Sequence, residues 1–188
     1  MTVPRIQDFE RVVLPHLDAA YNLARWLVRD PTRAEDVVQD AALRALRYFG
    51  SFRGGDGRAW ILRIVRNTAY EHLKRRSGRA EVSLGSTTGQ ADVVAFGLAV
   101  HDPGPDPEAQ YSRLQDRKRL TSALAALPIE QRECLVLYEL EQLSYKDIAQ
   151  ITQVPIGTVM SRLSRARSAL MRIPLAGVSH GERELVLA

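Results

Sequence analysis

The stretch Ser144-Tyr145-Lys146-Asp147-Ile148-Ala149, followed by Thr152-Gln153-Val154 and Pro155-Ile156-Gly157-Thr158-Val159-Met160-Ser161-Arg162-Leu163-Ser164-Arg165-Ala166-Arg167, reads as a short helix, a tight turn and a basic second helix. Ser144 with Asp147 three residues on forms a capping box for the amide donors of a helix start, and Pro155 is pre-set for the first turn of the next helix. Ile148, Ile151, Val154, Val159 and Leu163 can pack the two helices together, and Ala149 is small enough to let their backbones close up. This pattern is a helix-turn-helix. From Val154 to Arg172 the second helix carries Arg162, Arg165, Arg167 and Arg172 without an Asp or Glu, so its outer side suits a phosphate-lined groove. The plainer alternative is an ordinary solvated basic helix in a small bundle.

The remaining sequence extends this reading. A chain of 188 residues has room for one domain or two small ones. Residues 1–76 hold 14 Lys/Arg against 9 Asp/Glu, residues 77–106 hold 1 against 4, and residues 107–188 hold 11 against 9, so two basic lobes flank an acidic connector. That layout fits a polyanion touched at two places. Cys134 is the single cysteine, which excludes an intramolecular disulfide, and no charged-then-apolar leader or long apolar run appears. The expectation is a cytoplasmic protein with no membrane segment of its own, in which Cys134 is a buried, inert thiol.

Apolar residues recur at helical spacing through Phe9, Val12, Leu17, Tyr21, Leu23 and Leu27, with Pro15 separating a short first helix from a longer second. Asp30 and Pro31 mark the start of a third helix that stops near Gly50. The turn-rich Ser51-Phe52-Arg53-Gly54-Gly55-Asp56-Gly57 precedes a fourth, from Ala59 to Arg76. Residues 77–107 concentrate Ser, Gly, Thr, Asp and Pro and read as an extended linker, in which Val93 to Val100 is apolar enough to dock on a surface. Beyond it, further helices lead through Pro128 and Leu140 into the helix-turn-helix. The expected fold is all-α, with two small helical domains.

Three sets of side chains then stand out. Asp36, Gln39 and Asp40 share one polar edge of the third helix while Val37, Val38 and Ala41 turn inward, and such an edge can grip a basic partner helix. On the fourth helix Arg63, Arg66, Asn67, Tyr70 and Lys74 fall along one side, where the cations can hold phosphates and Asn67 and Tyr70 can bond or stack with an unpaired base. Near the start of the recognition helix, Thr158, Met160, Ser161, Ser164 and Arg165 should face base edges, with Arg165 bidentate to a guanine, and Arg162 and Arg167 should contact phosphates. The four histidines are scattered, no metal-ligand spacing appears, and Gly54-Gly55-Asp56-Gly57 runs into Arg58-Ala59, not the Gly-Lys-Ser/Thr ending of a phosphate-cradling loop. Neither a cofactor nor an enzymatic activity is expected.

Here the chain resembles the extracytoplasmic-function (ECF) group of bacterial sigma-70-type transcription initiation factors. Arg33 to Leu46 is similar to the group's core-polymerase-binding segment, and Arg58 to Arg76 to the segment that opens and reads the minus-ten promoter element. Asp106-Pro107-Glu108, Ala126-Leu127-Pro128, Gln131-Arg132 and Ile156 to Arg167 resemble the domain that reads the minus-thirty-five element. The resemblance implies a sigma region 2 domain over 1–76, a linker over 77–107, a region 4 domain over 108–172 and a tail over 173–188. It further implies that Asp36, Gln39 and Asp40 meet the clamp coiled coil of the largest polymerase subunit. A flipped base would enter a pocket beside the loop from Arg53 to Arg58, and an anti-sigma factor would hold the protein inactive. Gln153 departs from the group by standing where such turns often carry Gly, a position needing a left-handed backbone. Two other classes stay open: a helix-turn-helix regulator acting without polymerase, and a sigma-like interaction adaptor that binds no DNA.

Overall fold

In the computed structural model, the structure describes residues 3–82 and 118–172, with side chains over 6–76 and 118–172. The apolar patch at 93–100, most of the expected linker and the tail from 173 onward lie outside the described residues. Within them every regular element is helical, and no strand occurs.

The first lobe contains α1 (Val3–Val13), α2 (Leu17–Val28), α3 (Pro31–Tyr48) and α4 (Gly57–Val82). Pro15 sits in the 3-10 turn Leu14–His16 that separates α1 from α2. Asp30 caps α3 by accepting from the Arg33 amide at 3.1 Å, with Pro31 in the first turn. Helix α4 runs beyond Arg76, six residues into the stretch read as linker. The seam between these helices is small: Ala34, Val37, Ala41 and Ala45 recur at three- and four-residue steps on α3 and are fully buried. They meet Leu23 and Leu27 of α2 and Ile61, Leu62, Val65 and Ala69 of α4 in one core.

Gly57 shows how closely the lobe is built. A Cβ placed there would stand 2.9 Å from the Val12 carbonyl oxygen, so only glycine lets α4 start against α1.

The second lobe holds α5, described over 118–126, α6 (Ile129–Leu135) with its π-helical extension Val136–Leu140, α7 (Tyr145–Thr152) and α8 (Ile156–Met171). Ile148 and Ile151 of α7 and Val159 and Leu163 of α8 are buried against each other and against Leu135 and Leu137, with Val154 half-buried at the turn. The Ser144 side chain accepts from the Asp147 amide at 3.2 Å. Its hydroxyl then donates to the Asp147 carboxylate at 2.6 Å, in place of that carboxylate reaching back to the Ser144 amide. Pro155 takes the N-cap position of α8, one residue before the first helical turn.

Gln153 adopts φ 58°, ψ 40°, the left-handed conformation expected at that turn. An L side chain there costs about 1 kcal/mol.

The two lobes pack on each other. Helix α7 lies against α4, and α6 against α2. The sequence reading, which treated the lobes as separate, held no signal of this contact.

Candidate nucleic-acid interface

Helix α8 divides its side chains sharply. Val159, Leu163, Ala166 and Leu170 face the core, and Ile156, Met160, Ser164 and Arg165 face outward, with Met160 52 % exposed. Thr158 and Ser161 are half-buried, and the Ser161 hydroxyl donates to the Thr158 carbonyl at 2.9 Å. Among the described residues, Arg165 makes no ion pair or side-chain hydrogen bond, so its guanidinium is free to meet an outside acceptor.

Of the other two arginines read as phosphate contacts, Arg167 is already engaged and Arg162 is half-buried. Arg167 lies over the Tyr138 ring, 5.0 Å from its centroid, and donates twice to the Glu139 carboxylate at 3.1 and 2.7 Å. That hydrogen bond, outweighing burial, raises its pKa and keeps the guanidinium charged. Tyr138 in turn stacks on Tyr145 at 5.1 Å, so Arg167 is held at one edge of the helix. Arg162 departs from the sequence expectation. Its Nη1 is buried without a hydrogen-bond partner, and the side chain approaches Cys134 and the negative charge of Glu133. In this arrangement it turns inward because a buried carboxylate stands behind the helix.

On α4 the expected single row is split. Arg63, Asn67 and Lys74 are exposed, whereas Arg66 and Tyr70 point at the second lobe. Arg66 Nε donates to Glu133 Oε1, and Tyr70 Oη donates to Glu133 Oε2 at 2.6 Å. Arg66 also lies over the Tyr70 ring at 4.5 Å and donates to Asn67 Oδ1 at 3.3 Å. Burial pushes the Glu133 carboxyl above its ordinary 4.5 against the pull of Arg66, and burial together with Glu133 raises the Tyr70 phenol.

On α3, Asp36 and Gln39 are exposed, while Asp40 is half-buried and bonds His72 Nε2 at 2.8 Å. Arg44 clamps Glu71 of α4 through two hydrogen bonds, of 2.9 and 2.6 Å, which fixes this edge to the rest of the lobe. Leu43 and Tyr48, each 59 % exposed, extend the surface with an apolar strip.

The loop before α4 places Gly54 and Gly55 at φ 85° and 100°. Phe49, Phe52 and Trp60 gather beside it, Phe52 lying 5.1 Å from Trp60 and Phe49 stacking on Phe52 at 5.8 Å. These half-buried rings form a wall next to the loop.

Sequence reasoning missed the acidic partners. Glu141 accepts from Arg58 Nη2 at 2.6 Å and from Asn22 Nδ2 at 3.3 Å, and Arg132 reaches the Leu27 carbonyl at 3.5 Å. The one legible hint was Glu133 itself, a carboxylate directly before the apolar run Cys134-Leu135-Val136-Leu137. Among the described residues, no group of three His, Cys, Asp or Glu could hold a metal ion, and no helix is long and apolar enough to cross a membrane.

The family models for Sigma-70 region 2 and Sigma-70 region 4 match residues 12–79 and 117–170, one on each lobe. The RNA polymerase sigma-H factor of Pseudomonas aeruginosa is 36 % identical over 163 residues, covering 86 % of this chain and 83 % of that protein. The chain belongs to the ECF sigma factors. The ECF RNA polymerase sigma-E factor of Escherichia coli K12 is 36 % identical over 136 residues, 72 % of this chain and 70 % of that one. Among solved structures, the sigma factor RpoE of Bartonella quintana, crystallised with the anti-sigma factor NepR, shares 31 % identity, with a TM-score of 0.72 over 88 % of this chain and 95 % of that one. The match spans both lobes of this sigma factor.

Proposed function

We propose that this sigma factor binds core RNA polymerase through the α3 edge of Asp36, Gln39 and Asp40 and directs initiation by reading two promoter elements, one with each lobe. The observation that carries the reading is a region 2 and a region 4 fold on one chain, each presenting a basic helix. Arg165, with Thr158, Met160, Ser161 and Ser164, reads the minus-thirty-five element, the exposed Met160 offering an apolar contact for a thymine methyl. Arg167, positioned by Glu139 and Tyr138, contacts the neighbouring phosphates. Arg63, Arg66, Asn67, Tyr70 and Lys74 of α4 hold the minus-ten strand, beside the Phe49, Phe52 and Trp60 wall. Neither lobe needs to bind DNA tightly, because joining two weak contacts on one chain raises the effective concentration of the second.

The similarity to a sigma factor crystallised with its anti-sigma factor supports a partner of that kind for this chain. Footprinting of the chain with core polymerase on a promoter fragment tests the promoter reading. Two protected patches are expected, the upstream one lost in Arg165→Ala and the downstream one weakened in Asn67→Ala. A single protected patch, or one produced by the chain without polymerase, points instead to a regulator acting alone. Purification of the tagged chain from its own cell tests the anti-sigma partner, and recovery with polymerase alone counts against it.

A further inference from the structure

Of the three side chains on the α3 edge, Asp36 and Gln39 are exposed, whereas Asp40 is half-buried and its Oδ2 meets His72 Nε2 of α4 at 2.8 Å. We propose that His72 is a positioning residue for polymerase binding: it holds the Asp40 carboxylate in one orientation, with the second oxygen left for the partner. The inference rests on the assignment of Asp40 to the polymerase-binding edge.

Three observations carry it. The first is reach. Ala41 and Ala45 of α3 and Ala69 of α4 are fully buried in the shared core, and side chains this small bring the two helices close enough for an aspartate and a histidine to bond across the seam. The second is the pair next door. Arg44, one turn beyond Asp40, feels the Asp40 charge, but both of its Nη atoms donate to Glu71, at 2.9 and 2.6 Å. His72, beside Glu71 on α4, is therefore the group that bonds Asp40. The third is what stays open. A carboxylate accepts at both oxygens, and the ring takes only Oδ2, so Oδ1 of a side chain still 45 % exposed is available to an outside cation.

The consequence for binding is preorganisation. Without His72, the Asp40 side chain samples several rotamers in the free protein and loses that freedom on docking. With His72, the freedom is already lost when the lobe folds. Immobilising one side chain at an interface corresponds to about 3- to 10-fold in affinity.

The test measures binding of the full chain to core RNA polymerase by biolayer interferometry, together with the melting temperature and far-ultraviolet circular dichroism of each variant. His72→Phe keeps the bulk of the ring and removes the donor, His72→Gln keeps an N–H donor, and Asp40→Ala removes the acceptor. Expected is about tenfold weaker binding for Asp40→Ala. His72→Phe should bind about 3- to 10-fold more weakly than the parent, and His72→Gln should match the parent. Asp40→Ala combined with His72→Phe should bind no more weakly than Asp40→Ala alone, since a positioning residue has no effect once the carboxylate it positions is gone. A residue that merely ties α3 to α4 would instead lower the melting temperature and weaken binding as much without Asp40 as with it. If His72→Phe fails to fold, His72→Ala takes its place in the same cycle with the same expectations. Parental affinity in the folded donor-less variant, losses that add in the double variant, or His72→Gln as weak as His72→Phe each overturn the inference. Asp40→Ala that binds like the parent defeats the polymerase assignment and the inference with it. Weak binding by Asp40→Ala beside an unaffected His72→Phe defeats the positioning role alone.

Discussion

Replacing Arg165 and Arg162 in turn separates reading from scaffolding, because the two lie three residues apart on one helix, yet Arg165 is exposed and Arg162 is half-buried against the lobe. Arg165 is exposed and makes no bond within the described residues, so Arg165→Ala should leave stability within about 0.5 kcal/mol of the parent. A guanidinium bidentate to guanine discriminates by about 1 to 3 kcal/mol, which is about 5- to 150-fold in affinity, and its loss should flatten preference at one base pair only. Arg162 behaves oppositely. Its side chain faces the Glu133 carboxylate from within the lobe, so Arg162→Ala leaves a buried charge less compensated and should cost about 1 to 3 kcal/mol of stability. For a chain of this length each kcal/mol lowers the melting temperature by about 2 to 4 °C. The assays are thermal unfolding of the free chain and anisotropy titration of holoenzyme against duplexes varied one base pair at a time. The reasoning fails if Arg165→Ala keeps every base preference, or if Arg162→Ala melts like the parent while weakening DNA binding.

Gly57→Ala should destabilise by about 1 to 3 kcal/mol, since its Cβ would press on the Val12 backbone, whereas Gly157→Ala meets nothing within 4 Å and should not; urea midpoints compare them. Cys134, whose thiol burial pushes up to about 11, should resist Ellman's reagent in the native state and react only as fast as the chain opens. Rapid labelling without unfolding would contradict its position. Because burial raises the Glu133 carboxyl above 4.5 when folded, the native state binds that proton more tightly than the unfolded chain. Stability from this group therefore falls as pH climbs from the unfolded value through the folded one, and Glu133→Gln should show a flatter pH dependence of the urea midpoint.

Local signals carried most of the fold. The Asp30 cap, the Pro15 break, the Ser144 cap and the three- and four-residue apolar steps are written in neighbouring residues, and each appears where periodicity and capping place it. Even the left-handed Gln153 could be expected, because the turn geometry demands it whichever residue is present. What the sequence could not show is long-range. Arg66 and Glu133 lie 67 residues apart, and helical spacing assigns Arg66 to a solvent-facing row without saying what covers that row. The same holds for Arg162, since a basic residue on an amphipathic helix reads as outward until a buried carboxylate behind it is known. Charge composition counted Glu133 and Glu141 as ordinary acidic residues, although their burial makes them the partners of the basic face.

The central claim is that two helical modules on one chain give a polymerase its choice of promoter. Run-off transcription with purified core polymerase on a library of genomic fragments tests it most directly. The account predicts discrete transcripts whose mapped starts share one pair of upstream elements, with α8 and α4 variants disturbing different members of the pair. Transcripts no different from those of core polymerase alone would contradict it.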